Sequence, residues 1–224
     1  MVRVFPYDAL PDGAFGGNVA GVVLDASGMS SAEMQRIVSE LNGRTAGFVV
    51  DHQDGPTPAI AMCYFTPRQQ IGLCGHVVMA TFAGLMEEGR CKFQDESTGV
   101  SQQTRARELL LDLWSAEDGG VIVEIQQRLP SIERPSLETN VLRRTLGDLP
   151  LDPRLPLEIA STGPRHLVVP YARVDDLSHL SPEYTEVAGI SRALRVDTVC
   201  AFAVSPETAI HVRFRDFCPR MGAQ

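Results

Sequence analysis

The sequence predicts an α+β protein with two related halves, and three observations carry this prediction. Residues 75–88 form a helical segment whose apolar side chains point in all directions, so this helix is buried on every side and a sheet must wrap round it. Short strand-like segments precede and follow the helix. After a break at residues 130–135, the order of strands and helices loosely repeats. The predicted halves are residues 1–115, which contain the central helix, and residues 116–224.

The first half is predicted to hold one more helix and several short strands. Ser30 and Glu33 have the spacing of a capping box, and apolar residues follow at helical spacing, which predicts an amphipathic helix over residues 31–41. Gly89 follows the central helix and is a usual helix stop. Apolar or alternating runs between turn signals predict strands at residues 2–5, 19–24, 48–50, 60–65 and 109–114.

The second half is predicted to contain strands and helices in a similar order, but no wholly apolar helix. Strands are predicted at residues 121–126, 157–160, 166–170, 197–204 and 209–217. Helical segments are predicted at residues 137–146 and 181–190. Because nothing here matches the central helix of the first half, the second half is expected to be incomplete: either its core is filled in another way, or the chain continues beyond residue 224.

Composition and charge exclude several classes of protein. The formal net charge is −8 and no basic run exceeds the pair Arg143 and Arg144, so neither the charge nor its pattern fits a nucleic-acid partner. The five cysteines include no CxxC pair, which argues against a disulfide framework and against a zinc cluster. A signal peptide and a membrane-spanning run are both lacking, so we expect a cytoplasmic protein without a membrane partner.

The candidate chemistry lies where the central helix begins, at Cys74, Gly75, His76 and Val77. The first amides of a helix have no partners within the helix, so the amides of residues 75–77 can bind a substrate carboxylate. His76 can move a proton near neutral pH, and Cys74 is expected to have a lowered pKa at the helix start. No nucleotide-binding loop or metalloprotease motif occurs, so side chains and backbone amides would act without a cofactor.

Structural roles are open alternatives for these residues. A cysteine before a buried helix is often a small core residue, and a histidine at a helix start is often a structural hydrogen-bonding group. The glycines before Asn18 fit a tight turn, and the polar segment from Ser161 to His166 fits a plain loop.

Taken together, the motifs resemble the PhzF-like family of the diaminopimelate epimerase superfamily. Residues 15–24 (FGGNVAGVVL) are similar to the signature FGGNPAAVVL, and residues 34–42 resemble the helix that follows it. Residues 65–67 (FTP) with 74–76 (CGH) resemble the segment that opens the family's central helix. Residues 161–163 (STG) with His166, and then residues 214–222, resemble segments of the family's second half.

The resemblance implies a diaminopimelate epimerase-like fold in which each of two pseudo-symmetric halves is a mixed sheet wrapped round a central helix. It also implies an active site in the cleft between the halves, a homodimer and no metal or organic cofactor. The implied chemistry is proton transfer on a small carboxylate-bearing substrate, with His76 and Cys74 as catalytic groups. Substrate-binding residues are implied on both halves: Gly17, Asn18, Gly75, Val77, Ser161, Thr162, Gly163 and His166.

Two departures from the family pattern keep the reaction open. Thr45 stands where the isomerases of the family carry a general acid/base glutamate, and the DPxTGS-like motif expected after Gly222 is absent from the 224 residues. The leading hypothesis is an isomerase of secondary metabolism or antibiotic biosynthesis that acts on an amino or keto acid. The alternatives are a C–C bond hydrolase of alkylproline antibiotic biosynthesis and a catalytically inactive or truncated binding protein.

Overall fold

A mixed sheet with associated helices occurs twice along the chain. The computed structural model describes residues 2–9, 17–55, 57–92, 97–105, 107–116, 119–205 and 212–219. The chain forms two compact units, Met1–Gln126 and Gln127–Gln224. The first unit extends past residue 115 because its last strand pairs with the strand before it. Residues 15–16, 209–211 and 220–222 of the predicted segments lie outside the described residues.

The first unit is organised by one eight-stranded sheet. Its strands are β1 (Phe5–Ala9), β2 (Asn18–Val23), β3 (Ala46–Gln53), β4 (Ala59–Phe65), β5 (Gln70–Ile71), β6 (Ser97–Gln103), β7 (Glu108–Ser115) and β8 (Val121–Ile125). The strand order is β1-β2-β3-β4-β6-β7-β8, and β5 pairs with β4. The pairs β2/β3 and β4/β6 are parallel and the other pairs are antiparallel, so the sheet is mixed.

The helix α2 (Gly75–Glu87) is the central helix that the sequence predicts. It contacts β1, β2 and β3 on one side of the strand order and β8 at the opposite edge, so the sheet curls round it. Its buried residues Val78, Phe82 and Leu85 are each 0% exposed. The predicted sheet wrapped round an apolar helix is therefore confirmed in this unit.

Two glycines let α2 lie close to the sheet. A Cβ added at Gly47 of β3 would be 2.6 Å from Cγ1 of Val77, and one added at Gly84 of α2 would be 2.8 Å from the Tyr7 ring. The Tyr7 hydroxyl donates to Oε2 of Glu87 at 2.8 Å. The helix is thus held against β3 near its beginning and against β1 near its end.

The helix α1 (Ser31–Ser39) covers the other face of this sheet. The predicted capping box is present: the Ser30 hydroxyl accepts from the Glu33 amide at 3.3 Å, and the Ser30 amide donates to the Glu33 carboxylate at 2.8 Å. Met34 and Val38 are buried with Phe48 and Phe65, whose rings make an edge-to-face contact at 5.6 Å. The first sheet therefore has a helix on each face.

The second unit has a five-stranded sheet and three helices. In chain order the elements are β9 (Ser131–Glu133), α3 (Thr139–Leu146), β10 (Glu158–Ser161), β11 (Arg165–Pro170), α4 (Val174–Ser178), α5 (Tyr184–Leu194), β12 (Thr198–Val204) and β13 (Val212–Phe217). The strand order is β13-β12-β11-β10-β9, with β11 and β12 parallel and the other pairs antiparallel. This sheet is also mixed, as predicted.

The helices of the second unit pack on one face of its sheet. Leu142, Val187 and Ile190 from the helices form one core with inward residues of the strands such as Leu167 and Val199. Side chains on the opposite face are more exposed. They include Phe214 at 66%, Ile132 at 59%, Val212 at 46% and Val204 at 42%.

Three strands differ from the sequence prediction. The first strand was expected at residues 2–5, but β1 begins at Phe5 and continues to Ala9, because pairing with β2 sets its extent. The two-residue β5 has no periodicity of its own. The strand β9 lies inside the predicted break at residues 130–135 and is held by β10. No helix within the described ranges is both long and apolar enough to cross a membrane.

Candidate functional site

One edge of the first sheet gathers the polar positions that the sequence singles out. In the parallel pair β2/β3, Gly21 lies opposite Ala46, and in the antiparallel pair β3/β4, Ala46 lies opposite Phe65. Asn18 at the beginning of β2 and Thr45 just before β3 therefore lie at the same edge. The loop that leaves β4 after Phe65 starts at this edge as well.

Asn18 and Thr45 also share a face of the sheet, because side chains alternate along a strand. Gly47 faces Val77 of α2, so Thr45, two residues earlier, lies on the α2 face. Ala20 belongs to the core formed with α2, so Asn18 lies on that face too. Asn18 is exposed, whereas Thr45 is 8% exposed and its carbonyl accepts from the Gly21 amide at 3.0 Å.

A tight turn carries the chain from β4 towards α2. The Thr66 hydroxyl accepts from the Gln69 amide at 3.2 Å, and the Thr66 carbonyl accepts from the Gln35 side chain at 2.8 Å. The strand β5 then pairs back on β4, with Ile71 opposite Tyr64. This explains the FTP motif in structural terms, since its threonine shapes the turn that positions the start of α2.

The N-terminus of α2 brings Cys74, Gly75 and His76 together. Cys74 is the N-cap residue, and its side chain makes no capping hydrogen bond. Its Sγ lies 3.3 Å from Nδ1 of His76. Gly75 is exposed, and a Cβ added there would meet no atom within 4 Å, so a ligand can approach this backbone closely.

The side chain of Val77 takes no part in this surface, since it is 0% exposed and packs in the core. Its backbone amide faces the Cys74 sulfur closely enough to oppose the rise in the pKa of that thiol. The amides of Gly75 and His76 are thus the more available donors of the predicted anion site.

The protonation of the Cys74–His76 pair differs from the prediction for Cys74. Burial raises the pKa of the Cys74 thiol to about 11, against the opposing effect of the Val77 amide. The expected lowering was wrong because a helix terminus contributes only about 0.3–1 kcal/mol, whereas a shift of two pKa units corresponds to about 2.7 kcal/mol. Burial also lowers the pKa of His76. At neutral pH the pair is therefore an uncharged thiol beside an uncharged imidazole.

Two buried polar residues near this site, Gln102 and Tyr64, were not among the residues that the sequence singled out. Gln102 of β6 is 0% exposed, and its side-chain amide donates to the Tyr64 hydroxyl. Its Oε1 is buried without a partner, which is unusual for a core amide. Tyr64 has a raised pKa, mainly because it is buried, and a charge on Cys74 adds to this effect. A polar residue at an inward strand position was the available sequence signal.

Asp8 explains why a glycine occupies position 17. A Cβ added at Gly17 would collide with the Asp8 carboxylate and would lie 2.6 Å from the Ala9 carbonyl oxygen. Gly17 thus permits the close approach of β1 just before β2 begins. This role differs from the predicted substrate binding, which stays a prediction for Gly17.

The remaining predicted residues belong to the second unit. The Ser161 hydroxyl donates to the Gly163 carbonyl at 2.9 Å and accepts from the Gly163 amide at 3.1 Å, so Ser161, Thr162 and Gly163 form a turn between β10 and β11. Nδ1 of His166 lies 2.7 Å from the Thr198 hydroxyl. Their substrate-binding roles stay predictions. Among the described residues, no group of three or more His, Cys, Asp or Glu side chains could hold a metal ion.

Comparison with known proteins gives a match along nearly the whole chain. The model of the family described as phenazine biosynthesis-like protein, PhzC-PhzF, matches residues 7–224. An uncharacterized isomerase of Deinococcus radiodurans is 31% identical over 211 residues, which are 92% of this chain and 65% of the relative. The trans-2,3-dihydro-3-hydroxyanthranilate isomerase of Pseudomonas fluorescens is 26% identical over 177 residues, or 79% of this chain and 60% of that enzyme.

A solved structure agrees with the fold. The PhzF-family phenazine biosynthesis protein of Bacillus anthracis superposes with a TM-score of 0.83 at 27% identity, covering 97% of this chain and 72% of that one. The predicted fold class is confirmed by this likeness. The chain spans about two thirds of the length of these relatives.

Proposed function

Because this chain belongs to the phenazine biosynthesis-like protein family, PhzC-PhzF, we propose that it isomerises a small carboxylate-bearing metabolite by proton transfer, without a cofactor. The chain is isomerase-like by its relatives, and one of these is named for a substrate that carries a carboxylate. The observation that carries the proposal is the contact between the half-buried side chains of Cys74 and His76 on either side of the exposed Gly75.

The proposed binding step uses the first turn of α2. A substrate carboxylate accepts hydrogen bonds from the amides of Gly75 and His76, where the helix dipole adds partial positive charge. Gly75 offers no side chain that would keep the carboxylate away. Asn18, exposed at the same sheet edge and on the same face, is the proposed hydrogen-bonding partner for another polar group of the substrate.

The proposed chemical step is a proton transfer through His76. Its imidazole is uncharged at neutral pH and takes a proton from the carbon beside the carboxylate or its conjugated system. The electron pair left on carbon is delocalised towards the carboxylate, and a proton returns to another carbon. Cys74, held as a thiol, is suited to give that proton rather than to take the first one, and the imidazolium of His76, whose Nδ1 lies 3.3 Å from the sulfur, then returns a proton to the thiolate. A bound carboxylate would favour the imidazolium formed on His76.

The test is proton exchange with solvent. The protein is incubated in deuterated water with trans-2,3-dihydro-3-hydroxyanthranilate and a panel of amino and keto acids, and the products are analysed by mass spectrometry. We expect carbon-bound deuterium without fragmentation, and a loss of about 100-fold or more for His76→Gln. Activity should fall as the pH drops through the lowered pKa of His76, because the imidazole must be uncharged to accept a proton.

His179→Gln is the matched control, since His179 is exposed and bonds the Asp175 carbonyl at 2.9 Å in the second unit. This variant should exchange deuterium at the wild-type rate. Exchange that survives His76→Gln unchanged would refute the assignment of His76.

Thr45 favours a second candidate, hydrolysis of a C–C bond. A threonine hydroxyl cannot replace the glutamate that the isomerases of the family use as acid and base. In the same incubation, hydrolysis would release a carboxylate fragment. Neither label nor fragment from any compound would favour an inactive binding protein. The homodimer, the cytoplasmic location and a role in secondary metabolism are likewise proposals.

A further inference from the structure

A second groove lies at the far end of α2 from the candidate site. It has a volume of about 560 Å³ and is lined by residues just after α2 and at the end of β3, among them His52, Asp54, Arg90 and Lys92. The 13 residues of α2 separate it from Cys74. At 1.5 Å per residue the two places are about 20 Å apart.

The described lining of this groove has a net positive charge, whereas the chain as a whole is net negative. The protein carries 28 acidic and 20 basic residues, so its average field repels anions. Among the described residues that line the groove, by contrast, Arg90 and Lys92 are accompanied by one carboxylate, that of Asp54, while Arg90 also acts on Asp25 in a neighbouring pocket. Lys92 is the only lysine in the sequence, which makes it a unique chemical reporter for this place.

Two side chains of the groove, those of His52 and Arg90, have nitrogen atoms that can still form hydrogen bonds with a ligand. Nε2 of His52 is buried without a hydrogen-bond partner, and Oδ1 of Asp54 lies 3.6 Å from it. Arg90 is anchored by one nitrogen, Nη1, which donates to the Leu24 carbonyl. A guanidinium has five N–H donors, so this bond leaves most of them for a ligand.

Asp54 does not close the groove to an anion. Its side chain is 97% exposed, so it can swing into water at little cost when an oxyanion takes its place beside His52. Its charge also adds to the raised pKa of Cys91, which lines the same groove.

We propose that this groove binds a small oxyanion, the phosphate or carboxylate group of a metabolite, through Lys92, Arg90 and His52. The volume leaves room for the rest of a small metabolite beside the charged group. The site is separate from the one at Cys74 and does not depend on the proposed isomerase activity.

The first test is calorimetric titration of the full chain with inorganic phosphate, and separately with succinate, at constant ionic strength. Lys92→Gln should weaken binding about two- to fivefold, as for an exposed ion pair, and Asp54→Asn should tighten it by a similar factor. Arg134→Gln is the matched control because Arg134 is an exposed cation of the second unit, and its loss should change nothing.

The second test reads Lys92 directly. Acetylation of Lys92 is followed by mass spectrometry with and without the anion, and the amine at the N-terminus of the chain serves as the internal reference. Phosphate or succinate should slow the acetylation of Lys92 at least twofold relative to that amine. Protection by one anion alone identifies the group that the groove prefers.

Binding of neither anion would overturn the proposal. So would binding that Lys92→Gln and Asp54→Asn leave unchanged, or binding without protection of Lys92. Because none of these measurements uses catalysis, failure here is distinct from failure of the proposed reaction.

Discussion

The two sheets of this protein differ in how their faces are covered. The first sheet packs α2 on one face and α1 on part of the other, over β2, β3 and β4, whereas Leu110, Trp114 and Ile122 of β7 and β8 are exposed. The second packs α3, α4 and α5 together on one face, and its other face carries exposed apolar side chains such as Phe214. An apolar residue on a covered face of a sheet can therefore contribute far more to stability than one on an open face.

The difference teaches where the sequence signal is strong. A helix that is apolar all round is stable only when it is buried on every side, so the sequence of α2 alone predicts the sheet that surrounds it. The helices of the second unit are amphipathic and need only one apolar contact surface. Their pattern leaves the second face of the sheet undetermined. Three pairs of matched substitutions test this contrast, one partner in each unit.

The largest contrast is expected between two phenylalanines. Phe82→Ala empties a position that is 0% exposed inside the first unit, and should cost about 3–5 kcal/mol of unfolding free energy. Phe214→Ala removes a ring that is 66% exposed, and should change it by about 0.5 kcal/mol or less. Chemical denaturation measures both. A large cost at Phe214 would mean that the open face is covered in solution.

A smaller contrast is expected between two helical glycines. Gly84→Ala puts a methyl group 2.8 Å from the Tyr7 ring, and this overpacking should outweigh the gain in helix propensity, for a net cost of about 1–2 kcal/mol. Gly189→Ala in α5 meets no atom within 4 Å and should stabilise by about 0.5–1 kcal/mol. The two effects have opposite signs in denaturant midpoints. Stabilisation by both would show that α2 can move away from β1.

The smallest contrast concerns helix caps. Ser30→Ala breaks the capping box of α1 and should cost about 1 kcal/mol. Glu183 is the N-cap of α5 and makes no side-chain capping bond, so Glu183→Ala should cost about 0.5 kcal/mol or less. Thermal unfolding compares the two variants. Equal losses would argue that the Ser30 hydrogen bonds contribute no more than water would.

The architecture of the first unit was largely predictable because its signals are local. The capping box at Ser30 and the apolar run of α2 are both encoded within a few residues, and both are present. The short strands β5 and β9 were missed because their pairing with β4 and β10 depends on partners elsewhere in the chain.

The candidate site was predictable in its residues but not in its electrostatics. The position of Cys74 at the start of α2 followed from the motif, and its contact with His76 is present. The raised pKa of Cys74 depends on burial, which a sequence does not display. The same holds for Asp8 and Gln102, whose importance comes only from what lies against them.

The hydrogen bond between Tyr7 and Glu87 has a mechanical consequence for the opposite end of α2. Because this bond fixes the C-terminal end of α2 to β1, the helix cannot slide along the sheet, and the amides of Gly75 and His76 at its N-terminal end stay in place. A slip of one residue would displace these amides by about 1.5 Å, which is enough to misalign a hydrogen bond. Burial and the hydrogen bond to Glu87 raise the pKa of Tyr7 to about 12, so the Tyr7 hydroxyl keeps the proton that it donates well into the alkaline range.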